Sequence, residues 1–368
     1  MTAGRIAVVV GTRPEIIKMA EITQILGDRA LVIHTGQHWD HAMSGSFMEG
    51  LGMPEPEVSL GIGGNPRGVQ IGRAVEALDG VLGRLRPAAV MVQGDTNTAL
   101  GAALAANARE VPLVHVESGL RSFDRRMPEE HNRVVIDHLA DLCLAPTHLN
   151  REQLLAEGIN GACIAVTGNT VVAAVSRAID AGADAAAEMI DRLGLRTGEY
   201  VVATIHRPEN TDIPQRLAAV VRALAALAAD VPVLLPAHPR IRARLEESGL
   251  SSTLASVRTV EPLGYEEFVG LCAGAALTIS DSGGVQEEAS VWKRPVIVVR
   301  RSTERPEVQG TFAHLTEPGE PMLVLARQLY ADRARLASEL AEQPSPYGDL
   351  ESAKHCIRAV ERLTAHRR

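Results

Sequence analysis

Six short clusters of polar residues follow apolar runs along this 368-residue chain. Ordinary turns need Gly, Asp and Asn, whereas these clusters repeat His, Glu and Arg, which exchange protons and bind anions. Their recurrence indicates that the ends of several strands together carry chemistry. The clusters are Gly11–Glu15, Gln93–Thr96, His115–Arg121, His206–Asn210, His238–Arg240 and Ser280–Gly284.

Three acidic residues, Asp95, Glu117 and Glu129, lie within or shortly after these clusters. Grouped carboxylates can divide into an acid and a base when burial separates their pKa values. Structural capping is the alternative for any one of them. We therefore expect acid–base chemistry at this group.

The sequence Ser282-Gly283-Gly284 lies between an apolar run and helix-like sequence, where backbone amides could receive a phosphate. Arg13 lies in another loop before a helix, and Lys18 follows it on that helix. A plain helix cap is the alternative for Ser282, and a solvated helix surface is the alternative for Lys18.

His206 ends an apolar run and is followed by Arg207, a pair suited to holding and protonating a phosphate oxygen. His238 lies at another strand end, where a contact to ligand and a structural role are equal alternatives. Carboxylates in Gln286–Glu288 are placed to bind a ribose diol, unless they are solvated helical residues.

Composition excludes several classes of function. The chain has 37 basic and 45 acidic residues and a net charge of −8, so it offers no broad surface for nucleic acid or an anionic membrane.

His34 and His38 flank a short polar segment without metal-site spacing, and we predict no metal. The four cysteines are widely separated in the sequence: Cys143, Cys163, Cys272 and Cys356. We interpret them as free thiols in a reducing compartment.

The amino terminus lacks a charged segment followed by an apolar stretch of signal-peptide length, and no apolar stretch reaches the roughly 18 residues of a membrane span. We therefore expect a cytoplasmic protein. Hydrophobic residues make up 46% of the chain but aromatic residues only 3%, which is typical of parallel sheets covered by helices rich in small residues.

The elements that must position these residues alternate between short apolar runs and helix-like segments, which predicts an α/β fold with parallel sheets. A new set of apolar runs begins after an Ala-rich segment, so we place a domain boundary near residue 170. The predicted domains are 1–170, joined by a C-terminal helix at about 350–368, and 171–349. The predicted strands are Ile6–Val10, Ala30–His34, Ala88–Val92, Pro112–Val116, Leu142–Ala145, Tyr200–Ile205, Pro232–Leu235, Val257–Val260, Ala276–Ser280 and Val296–Val299.

At the polar clusters the sequence resembles the non-hydrolysing UDP-N-acetylglucosamine 2-epimerases. The motifs occur in order through nearly the whole chain, which makes the resemblance far more specific than a single glycine-rich loop. They are GTRPEIIK (Gly11–Lys18), TGQH (Thr35–His38), QGDT (Gln93–Thr96), HVESGLRS (His115–Ser122), MPEEHNR (Met127–Arg133), HRPEN (His206–Asn210) and SDSGGVQEE (Ser280–Glu288).

The resemblance implies a GT-B architecture, in which two Rossmann-like domains face a cleft for a nucleotide sugar, and a homodimer. It also implies reversible epimerisation of UDP-N-acetylglucosamine to UDP-N-acetylmannosamine at C2. UDP is eliminated to leave a 2-acetamidoglucal and is then added back. No cofactor is implied, in agreement with the lack of a GxGxxG motif after the first predicted strand.

Carried over position by position, the resemblance implies catalytic roles for Asp95, Glu117, Glu129 and the leaving-group residue His206. Glu117 is our leading candidate for proton exchange at C2, with Asp95 or Glu129 acting on the opposite face. The residues predicted to bind substrate or UDP are Arg13, Lys18, Arg133, Arg207, Asn210, His238, Ser282, Gly283, Gly284 and Glu288. Arg133 is expected to orient a carboxylate.

Two departures from the family pattern affect what the resemblance implies. Pro208 replaces the second arginine of the common HRREN motif, which removes one phosphate contact. Family members that are activated by their own substrate often carry glutamines after TGQH, where this chain has Trp39–Ser44. We therefore expect near-hyperbolic kinetics in UDP-N-acetylglucosamine.

Other functions stay open at the level of sequence. A UDP-diacetamido-uronic acid is the closest alternative substrate, and Arg125 or Arg126 would pair with its carboxylate. A hydrolysing relative, a GT-B glycosyltransferase and a non-catalytic sensor are further alternatives. The grouped carboxylates argue against the last two.

Overall fold

The structure is a computed structural model that describes residues 4–37, 41–237 and 239–366, apart from the side chains of residues 41–44, 46, 239, 240 and 366. The chain forms two compact units. The first comprises Met1–Ala174 with Tyr347–Arg368, and the second comprises Val175–Pro346. Each unit has its own parallel sheet and its own hydrophobic core.

The first unit is a seven-stranded parallel sheet in the order β3-β2-β1-β4-β5-β6-β7. Its elements are β1 (Ile6–Val10), α1 (Arg13–Leu26), β2 (Ala30–His34), α2 (His41–Gly50), β3 (Val58–Ser59), α3 (Arg67–Leu85), β4 (Ala89–Gln93), α4 (Asn97–Ala108), β5 (Leu113–Val116), α5 (Pro128–Leu139), β6 (Leu142–Ala145), α6 (His148–Ala156) and β7 (Ile164–Val166). Helix α7 (Val171–Arg192) begins in the first unit and continues into the second. The central strands are buried throughout, as expected when helices cover both faces of a parallel sheet.

The second unit repeats this design with six parallel strands in the order β10-β9-β8-β11-β12-β13. Its elements are β8 (Val201–Thr204), α8 (Pro208–Thr211), α9 (Pro214–Leu227), β9 (Val233–Pro236), α10 (Pro239–Glu247), β10 (Arg258–Val260), α11 (Tyr265–Gly274), β11 (Leu277–Ser280), α12 (Gly283–Trp292), β12 (Val296–Val299), β13 (Ala313–Thr316), α13 (Glu320–Ala331) and α14 (Arg333–Glu342). The predicted α/β fold class is confirmed by these two parallel sheets.

The last helix, α15 (Ser352–His366), belongs to the first unit and packs against α1. Its apolar face, which includes Cys356, Ile357 and Val360, joins the core cluster that contains Ile16 of α1. The predicted return of the C-terminal helix to the first domain is therefore confirmed.

Both sheets reverse their strand order at one point, between β1 and β4 in the first unit and between β8 and β11 in the second. Ligands of open α/β sheets bind beyond the carboxyl ends of the strands at such a reversal. Five of the six polar clusters follow these strands or β5, and the sixth, His238–Arg240, comes after β9 in the sequence. Within the described residues, no helix combines the length and apolarity needed to cross a membrane.

Candidate active site

Glu117 directly follows β5 and is the most constrained of the predicted catalytic carboxylates. Its side chain is buried, and its backbone has a φ of 67°, which is uncommon for a residue other than glycine. Oε2 accepts hydrogen bonds from Lys18 Nζ, from Gln93 Nε2 at 2.8 Å and from Asn169 Nδ2 at 3.4 Å. The surrounding donors thus hold a carboxylate on a backbone conformation that stores strain, a combination typical of functional sites.

Asp95 lies one residue beyond Gly94 in the loop after β4, and Arg133 of α5 holds its carboxylate. Oδ2 accepts from Nε of Arg133 at 3.2 Å and also from a terminal nitrogen of the same guanidinium. Asn132 donates to the backbone carbonyl of Asp95 at 2.8 Å. Helix α5 therefore fixes both the backbone and the side chain of this loop.

The two glutamates at the start of α5 have different surroundings. Glu130 is buried and accepts from Arg133, from the amide and hydroxyl of Ser122 at 3.0 and 2.9 Å, and from the amide of Phe123 at 2.8 Å. Glu129 is half-buried, and none of the described residues forms a hydrogen bond or ion pair with its carboxylate. Arg133 therefore bonds to both Asp95 and Glu130. Glu129 does not join this network within the described residues.

The first turn of α1 contains a buried carboxylate, Glu15, for which the sequence alone predicted no role. Glu15 accepts from the amides of Gly11 at 2.9 Å and Thr12 at 2.7 Å, and from the Thr96 hydroxyl at 2.6 Å. It therefore connects the loops that follow β1 and β4. Burial raises the pKa of Glu15 to about 7, although these donors favour its ionised form.

Arg13 is the first residue of α1 and is exposed. Its guanidinium carbon lies 5.4 Å from the centre of the Phe47 ring, a cation–π contact. Lys18 lies one turn further along the helix and points to Glu117, so its side chain is buried rather than solvated. The first unit thus offers an exposed cation near the start of α1 and a buried one at Glu117.

In the second unit, a fully buried aspartate organises the loop after β8. Asp281 accepts from the backbone amides of His206, at 3.1 and 3.2 Å to its two oxygens, and Arg207, at 3.0 Å. It also accepts from Asn210 Nδ2 at 3.0 Å and lies 3.2 Å from Nδ1 of His206. The predicted ligand Asn210 is buried and also donates to the carbonyl of Val299, which gives it a role within the loop.

This arrangement fixes which way the His206 ring faces. A carboxylate only accepts, so Nδ1 of His206 carries the proton when it bonds to Asp281, and Nε2 is the nitrogen for proton exchange with a ligand. The His206 side chain is 55% exposed although Asp281 is fully buried. Such a buried orienting carboxylate behind an exposed histidine is suited to general acid–base chemistry.

Ser282, Gly283 and Gly284 form the start of α12. Ser282 is the N-cap residue, but none of the described first-turn amides receives a capping bond from its side chain. A methyl group added at Gly284 would meet no atom within 4 Å, whereas one at Gly283 would lie 2.8 Å from Arg305 and 2.9 Å from Glu304. Space is therefore open on the side of Gly284 where a side chain would lie, which leaves room for a phosphate beside the first turn of this ten-residue helix.

Comparison with known proteins identifies the family. The sequence model described as UDP-N-acetylglucosamine 2-epimerase matches residues 25–361. The chain belongs to the UDP-N-acetylglucosamine 2-epimerase family. The family and the enzyme class implied by the resemblance, an isomerase, are thereby confirmed.

Relatives of this epimerase-family chain share its full length. A UDP-N-acetylglucosamine 2-epimerase of Methanococcus maripaludis is 36% identical, covering 97% of this chain and 98% of that protein. A UDP-2,3-diacetamido-2,3-dideoxy-D-glucuronate 2-epimerase of Pseudomonas aeruginosa is 34% identical, covering 98% and 100%. The Methanocaldococcus jannaschii UDP-GlcNAc 2-epimerase, solved with UDP-GlcNAc and UDP, is 35% identical with a TM-score of 0.87, covering 97% and 99%. The predicted GT-B fold class is thereby confirmed.

Near the start of α12, the epimerase-family chain carries a buried ionic cluster that was not predicted from the sequence. Arg300 and Arg305 pair with Glu304, and Arg305 Nε lies 2.8 Å from Glu287. Burial, opposed by Glu304 and reinforced by the nearby charge of Arg207, holds the pKa of Arg300 below its usual value. The predicted ligand Arg207 is half-buried, so it adds positive charge beside this cluster. Arg300, Glu304 and Arg305 follow the end of β12 in the sequence. A further polar cluster at a strand end was therefore the signal from which this cluster could have been predicted.

Glu288 lies within α12 and is buried, unlike a solvated helical glutamate. The hydroxyl of Tyr265 donates to its Oε1 at 3.1 Å. Burial, reinforced by the charge of Glu288, raises the pKa of Tyr265 well above its usual value, so the hydroxyl stays a donor. His238, also predicted to bind substrate, and His38 lie outside the described residues.

Proposed function

We propose that the chain interconverts UDP-N-acetylglucosamine and UDP-N-acetylmannosamine by inverting C2. The observation that carries this proposal is the buried Glu117 carboxylate, held by Lys18, Gln93 and Asn169 at the strand end beside the sheet reversal. Hydrogen bonds and a nearby cation favour the ionised form, which a base requires. The family membership and the relative solved with UDP-GlcNAc and UDP support the substrate.

In the proposed reaction, a carboxylate removes the C2 proton and the electron pair of that bond forms the C1=C2 double bond. The C1–O bond breaks, and its electron pair leaves with UDP, whose phosphate oxygen receives a proton from His206. Addition of UDP to the 2-acetamidoglucal with protonation of the opposite face gives the epimer. The reaction is redox-neutral, so the residues need supply only protons and binding.

The division of roles follows from the environments of the residues. Glu117 exchanges the proton on one face of C2, and Asp95 or Glu129 acts on the other, because inversion requires proton transfer on both faces. His206, oriented by Asp281, serves the leaving group. The amides at Ser282–Gly284 and the cations Arg13 and Arg207 bind the diphosphate.

A UDP-diacetamido-uronic acid is the second candidate substrate, because the Pseudomonas aeruginosa relative matches over its whole length. The sugar carboxylate would need a cation. Asp124 already binds Arg126 at 2.8 and 2.7 Å, which favours the exposed Arg125 for this contact. Charge reversal at Arg125 should impair only the uronate reaction.

The deciding experiment is proton NMR of the purified protein with UDP-N-acetylglucosamine in deuterated water. UDP-N-acetylmannosamine carrying deuterium at C2 is the expected product. Unchanged substrate together with turnover of the uronate would move the assignment to the second candidate. Release of free N-acetylmannosamine with UDP would instead indicate hydrolysis.

A matched pair of variants tests Glu117 in the same assay. Glu117→Gln should lose at least about a hundredfold in turnover while still binding UDP, since it removes a proton-transfer group. Glu110→Gln is the control, because Glu110 is exposed and also has a positive φ of 55°. Undiminished turnover in Glu117→Gln would remove this residue from the mechanism.

Three further expectations stay predictions. The family resemblance implies a homodimer, the departure from the family pattern after TGQH predicts near-hyperbolic kinetics, and the lack of a signal-peptide or membrane-span pattern predicts a cytoplasmic location. Sedimentation equilibrium tests the dimer, and fractionation of the native cells tests the location. Initial rates over a wide range of UDP-N-acetylglucosamine test the kinetics, for which a sigmoidal curve would be contrary. Part of the segment that motivates the kinetic prediction, at Trp39 and Asp40, lies outside the described residues.

A further inference from the structure

Glu15 is a fully buried carboxylate on α1 whose two oxygens accept hydrogen bonds from two different loops. Oε2 accepts from the amides of Gly11 at 2.9 Å and Thr12 at 2.7 Å, and from the Thr12 hydroxyl at 2.8 Å. Oε1 accepts from the hydroxyl of Thr96 at 2.6 Å. Because Glu15 and Thr96 are 81 residues apart in the sequence, this contact connects the loop after β1 to the loop after β4.

Helix capping explains only one side of this carboxylate. A glutamate at the third helical position commonly accepts from the N-cap amide, as Glu15 does from Thr12, and a glutamine can take the same position. The contact to Thr96 is not part of such a cap. A glutamine that presents its amide oxygen to Gly11 and Thr12 would turn its nitrogen, a donor, toward Thr96. A carboxylate accepts from both loops at once.

Thr96 extends this contact to the loop that carries Asp95. It directly follows Asp95 and is the N-cap residue of α4. Its hydroxyl accepts from the amide of Ala99 at 3.0 Å and donates its single proton to Glu15. Glu15 therefore fixes the direction of the Thr96 side chain, and with it the turn that leads from Asp95 into α4.

Contacts from two other directions also hold this turn. Arg133 and Asn132 of α5 bond to the carboxylate and the backbone carbonyl of Asp95. Gln37, in the loop after β2, accepts from the amide and the hydroxyl of Thr98 at 2.8 and 3.0 Å. Glu15 supplies the contact from the side of β1.

Close packing at Gly11 confines the loop on which Glu15 is anchored. A methyl group added at Gly11 would lie 2.2 Å from the hydroxyl oxygens of both Thr35 and Thr98. Those two hydroxyl oxygens lie 2.7 Å apart, at the distance of a hydrogen bond. The loop after β1 is therefore packed directly against the loop after β2 and the start of α4, which makes it a firm support for Glu15.

We propose that Glu15 is a positioning residue that fixes Asp95 through Thr96. This role rests on the proposed function, in which Asp95 is one of two candidates for proton transfer on the second face of C2. Arg13, the proposed diphosphate ligand, lies two residues before Glu15, so the same carboxylate couples the loops that carry these two groups. Because Glu15 is fully buried, it acts through the loops and does not itself contact substrate.

Glu15→Gln tests the contact, because it keeps an acceptor for Gly11 and Thr12 but turns a donor toward Thr96. We expect kcat to fall about ten- to a hundredfold with KM changed less than about threefold, because small displacements of reacting groups are costly. Glu49→Gln, an exposed substitution on α2, is the control and should match the wild type. Unchanged kcat in Glu15→Gln would contradict the positioning role.

Substitutions at Thr96 separate positioning from helix capping. Thr96→Ser retains the hydroxyl and should keep kcat, whereas Thr96→Val should lose about as much kcat as Glu15→Gln. Thr96→Val also removes the cap of α4, so Thr147→Val is its matched control, because Thr147 caps α6 by accepting from the amide of Asn150 at 3.2 Å. Both valine variants should unfold at lower urea. Equal losses of kcat in both would contradict the positioning role.

The double variant Glu15→Gln/Thr96→Val tests whether the two residues act through one contact. A shared contact predicts that the double variant loses no more kcat than Thr96→Val alone, because the effects of residues in direct contact are not additive. A loss equal to the product of the two single losses would show that Glu15 and Thr96 act independently, and would overturn the proposal.

Crystal structures test the position of Asp95 without turnover. In Glu15→Gln the Asp95 carboxylate should shift by about 0.5 Å or more, or occupy more than one position, whereas Glu49→Gln should leave it in place. An unmoved Asp95 would overturn the proposal even if kcat falls. If Glu15→Gln does not fold, Thr96→Val compared with Thr96→Ser decides in the same way. If the wild type fails the deuterium assay, the proposed function fails, but the position of Asp95 still shows whether Glu15 holds its loop.

Discussion

At the scale of single residues, the donors around each carboxylate distinguish one acid from another. Glu117 receives a lysine and two amide side chains, whereas Asp95 receives an arginine. Glu130 receives backbone amides and a buried arginine, a set of partners typical of a structural role. Acids that look alike in the sequence therefore have different chemistry.

The adjacent glutamates of α5 give the first prediction. Glu130→Gln should lower the free energy of unfolding by about 1–3 kcal/mol, because it weakens a buried network that includes Arg133. Glu129→Gln should change stability by less than about 0.5 kcal/mol and should lower turnover by about a hundredfold or more if it acts on C2. Urea unfolding and the deuterium assay measure the two effects. The reverse pattern would transfer the predicted catalytic role from Glu129 to Glu130.

The raised pKa of Glu15 gives the second prediction. Its folded-state value of about 7 exceeds its ordinary 4.5, so the folded protein binds this proton more tightly than the unfolded chain does. The contribution of Glu15 to stability is therefore fully present below about pH 4.5 and is lost as pH rises to about 7. Relative to Glu15→Gln, the wild type should lose about 3 kcal/mol of unfolding free energy across that range.

Urea unfolding of both proteins at several pH values measures this difference. Glu49→Gln, an exposed substitution, is the control for removal of a carboxylate. A constant difference between the wild type and Glu15→Gln over the whole range would contradict the prediction.

The residue types at the strand ends could be predicted, but their partners could not. The positions of Asp95, Glu117 and His206 follow from short apolar runs that end in polar clusters. Asp281 bonds to the loop after β8 because β11 and β8 are neighbours in the sheet. Local sequence does not show which strands are neighbours. Whether Arg133 bonds to Glu130 or to Glu129 depends on the direction of each side chain at the start of α5.

At the scale of elements, the start of α12 combines an open glycine with a crowded one. Gly284→Ala has room in the protein, so stability should be retained, but its methyl group would occupy space beside the amides. UDP binding should weaken about tenfold or more. Gly283→Ala should cost about 1–3 kcal/mol of stability, because its methyl group overlaps Arg305 and Glu304.

Calorimetric titration with UDP and urea unfolding separate the two effects at this helix. Wild-type UDP affinity in Gly284→Ala would show that the diphosphate does not bind at this helix end. Wild-type stability in Gly283→Ala would show that the ion pair relaxes at little cost.

The predictability of the elements depends on their place in the sheet. Buried central strands such as Ile6–Val10 and Val296–Val299 coincide with the predicted runs. The strands β3, β7 and β13 were not predicted. Each lies at a sheet edge with partly exposed residues, so its apolar pattern is weak.

At the scale of the whole molecule, the two units carry different parts of the proposed chemistry. The first unit has the carboxylates for C2, and the second has His206 and the helix start for the diphosphate. The chain returns to the first unit at its end. The amide of Asn169 donates to the carbonyl of Tyr347 at 2.8 Å, which joins the C-terminal segment to the loop that also supplies a donor to Glu117.

The returning helix gives the last prediction. Ile357 of α15 is 4% exposed and packs in the core cluster with Ile16 and Met19 of α1. Ile357→Ala should lower the unfolding free energy of the first unit by about 2–5 kcal/mol, because it removes buried methyl groups and leaves a cavity. Arg358→Ala, at an exposed position on the same helix, is the control.

Hydrogen exchange during urea unfolding can follow the two units separately. In Ile357→Ala, amides of β1 and β4 should lose protection at lower urea, while those of β8 and β11 should be unchanged. A cavity acts through the contacts that surround it, and those contacts lie in the first unit. Equal losses of protection in both sheets would mean that the units unfold as one cooperative body. No loss in either would mean that α15 adds little to the core that supports the candidate active site.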